Sequence, residues 1–321
     1  MNNTNSETTK NIMYGVSEET LVLTRKGYYS IKSLENQKVE VWNGNEWSLV
    51  TVKLTAERRH LITIYFSNGN RLTCTPNYQF IIGDGHIKES QRIVAQLLAP
   101  GLKLRQESFP IIDGDEPFNA PFIHGALCAF GCFTQNGPIL DIIGALAQEV
   151  LNDPDMITIP ESGNKLFPEN LPEPYMVPMK SSMNTKIKWL NGLLNTRSFS
   201  VPMGLVVFHF NEKFLQDIQL FLTTLGSYSI ITQSIPYKIP VSGNENIIGR
   251  NYLLMIPWYY YGKLCDLGLK IKNLSETIPK NENKIDLLIT DIIDVGRLSP
   301  TYCFIEDKNN AAIFNGVLTG C

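Results

Sequence analysis

Short runs in which apolar and polar residues alternate follow one another from residue 20 onward. Alternation with a period of two residues is typical of β-strands, and Asn-Gly and related turn pairs separate the runs. The runs span residues 20–24, 28–34, 38–44, 47–56, 60–74 and 78–89. The pattern predicts a compact all-β module that closes near residues 92–104 with a helical turn and a Pro-Gly loop.

The middle of the chain, about residues 118–278, has a different periodicity. Its apolar residues recur at three- and four-residue spacing, which predicts helices. The predicted helices cover residues 121–133, 139–151, 185–196 and 212–226. The predicted strands between them cover residues 199–210, 228–239 and 250–262. This region is therefore predicted to be α+β.

Short strands return after the Lys/Asn/Glu-rich stretch at residues 279–284, in the segments 286–298, 301–307 and 311–321. Within the last segment, Asn315-Gly316 is predicted to be the turn of a hairpin. The simplest interpretation is one β module divided by an α+β insert, with its two halves paired in space. The predicted domains are a disordered polar tail at 1–14, a β domain at 15–115 plus 280–321, and an insert at 116–279.

Three segments of the predicted β domain resemble the conserved blocks of an intein, a self-splicing protein insert. "SEETLVLTRKGYYSIKSL" is similar to an intein start, "RLTCTPNYQFII" to the internal T-x-x-H motif, and "TYCFIEDKNNAAIFNGVLTGC" to an intein end. The last segment is most similar to inteins of ribonucleotide reductase large subunits, including those of large DNA viruses. The resemblance implies an all-β, horseshoe-shaped Hint splicing domain.

Two segments of the insert, residues 123–131 and 190–198, resemble the nine-residue helix of LAGLIDADG homing endonucleases. The resemblance implies that the two helices pack against each other, which requires small residues where they touch. Gly125 and Gly192 occupy equivalent places in the two copies. The alternative is two unrelated core helices. The expected fold class is thus a Hint domain split by an α+β LAGLIDADG endonuclease-like insert.

The residues that splicing requires are replaced at the matching positions. The family's first nucleophile falls on Gly15, which has no side chain to attack the preceding peptide bond, and Ser17 is two residues out of register. In the T-x-x-H motif Thr75 is retained, but the histidine is replaced by Tyr78, whose ordinary pKa of about 10 makes it a poor proton shuttle at neutral pH.

The C-terminal splicing positions are replaced as well. The two histidines fall on Asn310 and Gly320, and the cyclising asparagine falls on Cys321. Alternatively, Cys321 is the first flanking residue and the asparagine has been deleted. Engineered substitution could account for Gly15 and Cys321, but not for the other replacements.

The endonuclease positions follow the same pattern. The acid that ends each LAGLIDADG helix holds a divalent metal, and hard cations need oxygen ligands. These positions are Phe130 and Arg197. The resemblance therefore implies a protein without metal, cofactor or small-molecule substrate, and without either enzymatic activity.

Composition argues against several other classes. The net charge is −3 and the sequence pI is near 5.9, so no basic surplus favours nucleic acid. Acidic and basic residues balance within residues 117–275, so DNA binding is not expected. The polar first residues do not form a signal peptide, and no apolar run is long enough to span a membrane. We therefore do not expect secretion or a membrane segment.

Cysteines and histidines add no predicted site. The cysteines lack C-x-x-C spacing and are interpreted as free thiols in a reduced compartment, with Cys128 and Cys132 as small apolar residues on one helix face. All six are Cys74, Cys128, Cys132, Cys265, Cys303 and Cys321. The scattered histidines are interpreted as structural residues. They are His60, His86, His124 and His209.

Two further stretches receive structural interpretations. Residues 258–261, Trp-Tyr-Tyr-Tyr, are predicted to alternate along a strand, half in the core and half at the surface, with base stacking or a protein contact as alternatives. Glu306, Asp307 and Lys308 are predicted to form a solvated turn.

The sequence as a whole predicts an intein-derived structural or interaction protein without catalytic activity. Its expected partners are other proteins, for example capsid proteins of a large DNA virus, and its expected location is the virion or the cell interior. The alternatives are a splicing element with atypical residues, a non-cleaving DNA-binding protein, and a decaying intein without a role.

Overall fold

The structure is a computed structural model. It describes residues 14–83, 91–106, 108–130, 133–134, 137–138, 148, 150–160, 162, 165–234, 237–240, 246–249, 251–272, 274 and 285–320. The chain divides into two compact units, which are treated separately below. The first unit is Met1–Glu107 with Asp286–Cys321, and the second is Ser108–Ile285.

The structure is mostly β-sheet, as the alternating pattern predicts. The strands, in chain order, are β1 Val16–Ser17, β2 Leu21–Thr24, β3 Gly27–Ser30, β4 Lys38–Trp42, β5 Trp47–Thr51, β6 Lys53–Phe66, β7 Arg71–Cys74, β8 Gln79–Ile82, β9 Gln91–Val94, β10 Lys103–Leu104, β11 Phe133–Thr134, β12 Gly137–Pro138, β13 Ile157–Thr158, β14 Lys165–Leu166, β15 Ser198–Val201, β16 Gly204–His209, β17 Ile230–Gln233, β18 Tyr237–Pro240, β19 Asn246–Gly249, β20 Tyr252–Pro257, β21 Leu287–Cys303, β22 Ala311–Phe314 and β23 Val317–Gly320. The α-helices are α1 Pro121–Phe130, α2 Met183–Arg197, α3 Glu212–Thr223 and α4 Trp258–Asp266, and 3₁₀ turns occur at Ile31–Leu34 and Ala95–Leu97. None of the helices in the described ranges is long and apolar enough to cross a membrane.

Two sheets build the first unit, and each draws strands from both ends of the chain. One sheet has the order β1-β7-β6-β21-β10-β8-β9, in which the long strands β6 and β21 pair antiparallel. The other has the order β23-β22-β2-β4-β5, with β3 added on β2. The two sequence halves therefore pair in space, and their alternating apolar residues share one core that includes Val22, Ile64, Phe80 and Phe314.

The second unit combines helices with a four-stranded sheet of order β15-β16-β20-β17. Capping residues set where two helices begin: the Ser182 side chain accepts the Thr185 N–H at 3.3 Å, and the Asn211 side chain accepts the Phe214 N–H at 3.1 Å. The apolar faces of these helices pack on the sheet around buried Trp189.

Helices α1 and α2 approach each other at two glycines. A Cβ placed on Gly125 would lie 2.1 Å from the Trp189 carbonyl oxygen, and one on Gly192 would lie 2.0 Å from the Phe122 carbonyl oxygen. Only glycine permits two helix backbones to come this close. The predicted contact between the two helices through Gly125 and Gly192 is confirmed.

The strand predicted for residues 258–261 is wrong. The strand β20 ends at Pro257, and the aromatic residues begin helix α4. Proline fixes its own backbone angle and has no N–H for the sheet ladder, but it tolerates a helix start. Trp258, Tyr261 and Leu264 then recur at three-residue spacing, and all three are buried against the second-unit core. Packing on one helix face explains the aromatic run.

Some predicted features lie wholly or partly outside the described residues. These are the polar tail except Tyr14, His86 and the turn around it, most of the helix at residues 139–151, the stretch at 279–284, Cys132, Cys321 and the side chain of Phe130.

Candidate functional site

Gly15 lies in a backbone pocket beside the T-x-x-Y segment. Its N–H donates to Thr75 Oγ1 at 3.1 Å, and its carbonyl accepts the Thr75 N–H at 2.9 Å. Strand β1 continues from it, with Val16 paired to both Tyr302 and Cys74. The structure therefore brings together the first two positions that the resemblance singles out.

The space at Gly15 has no room for a side chain. A Cβ built on this residue would lie 2.7 Å from the Tyr302 carbonyl oxygen and 2.9 Å from Thr55 Oγ1. Thr55 is held in place because its hydroxyl hydrogen-bonds to the Thr301 hydroxyl at 2.8 Å. Real Cβ atoms essentially never make contacts below 3.0 Å, so a larger residue requires the backbone at Gly15 or at Tyr302 to shift.

Tyr78 fills a fully buried position at the centre of the first-unit core. Its hydroxyl hydrogen-bonds to Thr319 Oγ1 at 2.9 Å, and its ring makes edge contacts with Tyr14, Phe80 and Phe314. The same residue accepts the Ala95 N–H at 2.7 Å through its carbonyl. Tyr78 thus links the T-x-x-Y turn to the last described strand of the chain.

The C-terminal hairpin is formed by β22 and β23 around the predicted Asn315-Gly316 turn. Both turn residues have positive φ, 48° and 75°, as a two-residue hairpin turn of this kind requires. The Asn315 side chain accepts the Leu21 N–H at 2.8 Å and donates to the Arg71 carbonyl at 2.9 Å. The predicted turn is confirmed, and its side chain fixes the hairpin against strands β2 and β7.

Asn310 and Gly320 are both in contact with Arg92. The guanidinium of Arg92 donates to the Asn310 carbonyl at 2.9 Å and to the Asn309 carbonyl at 2.7 Å. A Cβ on Gly320 would lie 2.6 Å from the same guanidinium and 2.9 Å from Gln79 Cβ. The two positions onto which the resemblance places histidines are therefore occupied by an exposed asparagine and by a glycine that makes room for an arginine.

The predicted solvated turn at residues 306–308 is wrong for Glu306, which is fully buried. Its carboxylate accepts the Asn43 side-chain amide at 3.1 Å and the backbone N–H groups of Lys308 and Asn309 at 3.2 and 2.7 Å. Burial alone raises the pKa of this carboxyl, but these donors and Ser48 outweigh it and lower the pKa. Asp307 and Lys308 are exposed, as predicted.

In the second unit, Arg197 ends helix α2 next to the end of helix α1. Its guanidinium donates to the Ala129 carbonyl at 3.0 Å and lies 4.1 Å from the Phe208 ring centroid. A cation at a helix C-terminus is favourable, and so is its position over an aromatic ring. The position onto which the resemblance places a metal-binding acid is therefore occupied by a positive charge that accepts no metal and bonds to the end of the neighbouring helix.

Two buried histidines and a buried lysine lie in the same unit. His124 Nδ1 accepts the Trp189 indole N–H at 3.0 Å, so its Nε2 carries the proton and donates to the Glu173 carbonyl at 3.0 Å. Burial lowers the pKa of His124 to about 4 and, with help from the Arg197 charge, lowers that of His209 to about 4. Lys186 donates to the Ile112 carbonyl and the Thr224 hydroxyl, and burial lowers its pKa to about 8.

The described cysteines are not poised for nucleophilic attack. Burial raises the pKa of the Cys74 thiol, and it raises the pKa of Cys128 and Cys303 to about 12. Reactive cysteines need the opposite shift, because the thiolate is the nucleophile. Within the described ranges, no group of three or more His, Cys, Asp or Glu residues is arranged to hold a metal ion.

Sequence reasoning missed several residues that shape this site. Thr319, Arg92 and Thr55 contact the predicted positions from far away along the chain. Glu306 supports the turn before Asn310 and has its own distant partner in Asn43. Glu306 sits in a polar stretch that resembles an exposed turn, so nothing in the local pattern indicates its burial.

Comparison with known proteins gives one sequence relative and several structural ones. The chain is similar to the ribonucleoside-diphosphate reductase large subunit of Invertebrate iridescent virus 6, with 31% identity over 338 residues. The match covers 95% of this chain and 35% of the viral protein, so the chain spans about a third of that relative. No protein-family model matches.

Similar solved structures include inteins. Two crystal structures of Ssp DnaB mini-intein variants match at 9% identity with a TM-score of 0.36, covering 96% of this chain and 98% and 93% of theirs. A DnaB intein from Synechocystis sp. PCC 6803 matches at 20% identity with a TM-score of 0.25, covering 30% of this chain and 69% of its own. Scores of this size do not establish a common fold.

Proposed function

We propose that this chain is an intein-derived protein that has lost splicing and serves a structural or protein-binding role. The observation that carries the proposal is Gly15. Splicing begins with an attack by a side chain at this position, and here there is neither a side chain nor the space for one.

The neighbouring positions support the same proposal. Tyr78 is locked to Thr319 by a buried hydrogen bond, so it replaces a proton-transfer residue with a structural one. Gly320 leaves room for Arg92, whose guanidinium is engaged by two backbone carbonyls. Each replacement makes specific contacts with its neighbours. Such contacts are expected when a site contributes to stability and no longer to catalysis.

The sequence relative fits an origin as an insert. Nearly the whole chain matches about a third of a much longer protein, which is the pattern expected when a self-contained element resides within a host protein. We propose that the second unit is a degenerate LAGLIDADG domain whose paired helices meet at Gly125 and Gly192. The replacement of one metal-binding acid by Arg197 supports the loss of DNA cleavage.

The proposed setting is a virus particle, in which the chain acts as a minor capsid or scaffold component. The relative from an iridescent virus supports a viral origin. Mass spectrometry of particles purified from the native source tests this part. We expect the chain at a fixed ratio to the major capsid protein. Its absence from particles, with the protein abundant in infected cells, would contradict the virion setting.

The loss of splicing is tested by placing the chain between two reporter proteins and following the products by mass spectrometry. We expect only the intact fusion. The Gly15→Cys variant is also expected to remain intact, because the added side chain has no room and Tyr78 cannot replace a histidine. A ligated product of the two reporters, or cleavage before Gly15 in the natural chain, would overturn the proposal.

A further inference from the structure

A groove of about 550 Å³ lies beside the β4–β5 hairpin of the first unit. The side chains that matter for its chemistry are three cations, one acid and two apolar residues. They are Arg25, Lys26, Lys38, Glu40, Tyr29 and Leu49. Nothing in the proposed splicing-type site uses any of them.

The hairpin presents an apolar surface to solvent beside this groove. Ser48 and Val50 face the core, so Leu49 points outward, where 66% of its surface is exposed. Trp42 and Trp47 pair across the same face with their ring centroids 5.3 Å apart. Tryptophan and arginine are the residues most often found at the energetic centre of protein interfaces.

Positive charge surrounds this surface. Arg25 pairs with Glu40 at 2.8 Å and lies 5.8 Å from the Trp47 ring, so it is neutralised within the groove. Lys26 and Lys38 are exposed, and neither forms an ion pair with the described carboxylates. With the single acid already paired, the groove has a net charge of about two positive charges.

We infer that this groove binds an acidic segment of a partner protein that alternates carboxylates with apolar side chains. The inference rests on the proposed binding role and names the chemistry of the partner. Carboxylates of the segment would pair with Lys26 and Lys38, and its apolar residues would cover Leu49 and the tryptophan pair. A small molecule fits less well, because small-molecule sites enclose most of their ligand, and Leu49 and Arg25 are largely exposed here.

The test is a selection of random twelve-residue peptides displayed on phage against the full chain, with counter-selection against the Lys26→Glu/Lys38→Glu variant. We expect the enriched peptides to contain at least two Asp or Glu residues that alternate with apolar residues. Fluorescence anisotropy of an enriched peptide should show at least tenfold weaker binding to the double variant and to Leu49→Ser, with affinity falling as salt is raised. Lys270→Glu, which makes the same kind of charge change at an exposed residue of the second unit, should bind like the natural chain.

Three outcomes would overturn the inference. These are no enrichment over the double variant, enrichment of neutral or basic peptides, and equal binding of an enriched acidic peptide to the natural chain and to the double variant. Circular dichroism of each variant confirms folding, which surface substitutions should preserve. The reporter-fusion assay is independent of this selection, so failure of the groove and failure of the proposed loss of splicing can be told apart.

Discussion

The two units differ in the acidic and basic side chains that they bury: the first buries the carboxylate of Glu306, and the second buries His124, His209 and Lys186. In the first unit, buried polar contacts are often made between hydroxyls, as in Ser17 with Thr20 and Tyr78 with Thr319. The second unit buries groups that titrate closer to neutrality, including His124 and Lys186. Neither aliphatic hydroxyls nor the tyrosine phenol, with an ordinary pKa of about 10, titrate in the range where imidazole does. The comparison indicates that sensitivity to mild acid should be concentrated in the second unit.

Both units also contain tightly enclosed glycines, but the surroundings differ in how far they can move. The helix glycines Gly125 and Gly192 each face a carbonyl oxygen near 2 Å, so the whole helix must shift to admit a side chain. Gly320 is enclosed by the flexible end of the Arg92 side chain at 2.6 Å and, less tightly, by Gln79 Cβ at 2.9 Å. The largest effect of substitution is therefore expected at the helix pair.

The first prediction concerns this helix contact. Gly125→Val should destabilise the second unit by more than about 3 kcal/mol, because the added carbons overlap the α2 backbone. Hydrogen exchange during denaturant unfolding, read separately for residues 108–285, measures the change. Gly262→Ala is the matched control. No atom lies within 4 Å of its added Cβ, so this helix substitution should change stability by no more than about 1 kcal/mol. Equal effects of the two variants would contradict the tight contact.

The second prediction is acid sensitivity of the second unit. The pKa values of folded His124 and His209 are about 4, below the ordinary value of 6.5, so the unfolded chain binds more protons between these pH values. The stability that depends on these neutral histidines is therefore complete above about pH 6.5 and is lost as pH falls toward 4, by up to about 3 kcal/mol for each histidine. Protonation of His124 at Nδ1 would also remove the acceptor of the Trp189 N–H, so this hydrogen bond would be lost.

Unfolding measured at a series of pH values, with exchange read for each unit, tests the difference. His124→Gln should flatten the pH dependence of the second unit, and His60→Gln, at an exposed histidine of the first unit, serves as the control. If the first unit lost more stability than the second over the same pH range, the predicted difference between the units would be wrong.

The third prediction concerns the buried carboxylate of the first unit. Glu306→Gln should cost about 2 kcal/mol, because the charged acceptor of several hydrogen bonds is lost. Since the pKa of folded Glu306 is lowered, the stability that this carboxylate adds is present above its ordinary pKa and is lost as pH falls through the folded value. Denaturant midpoints should fall for this variant. The exposed neighbour Asp307 is the control, and Asp307→Asn should change stability by less than about 0.5 kcal/mol.

The fourth and smallest effect is predicted for the hydroxyl pair. Tyr78→Phe should cost about 1 kcal/mol, because Thr319 keeps a buried hydroxyl that has lost a partner. Combining it with Thr319→Val should cost less than the sum of the two single changes. A thermodynamic cycle of the four proteins measures this coupling. Strict additivity would show that the hydrogen bond adds no stability.

Local patterns predict much of this fold, and distant contacts account for what they miss. Period-two runs and the Asn315-Gly316 pair are visible in a few residues, so strands and turn are predictable. The aromatic run that begins at Trp258 fits either a strand or a helix, and only its packing against the second-unit core determines that it is helical. Glu306 depends on Asn43, 263 residues away along the chain. The candidate positions came from family resemblance, and their loss of chemistry remains a prediction.

The side chain of Asn315 has a consequence for the order of folding. It joins Leu21 and Arg71, which precede it by 294 and 244 residues. Contacts at such separations raise the contact order and slow folding, because the chain between them must close as a loop. Loop-closure entropy grows only with the logarithm of length, about 0.6 kcal/mol for each doubling, so the long intervening second unit adds little thermodynamic penalty. The first unit is therefore expected to be completed last during synthesis, once the hairpin that carries Asn315 has been made.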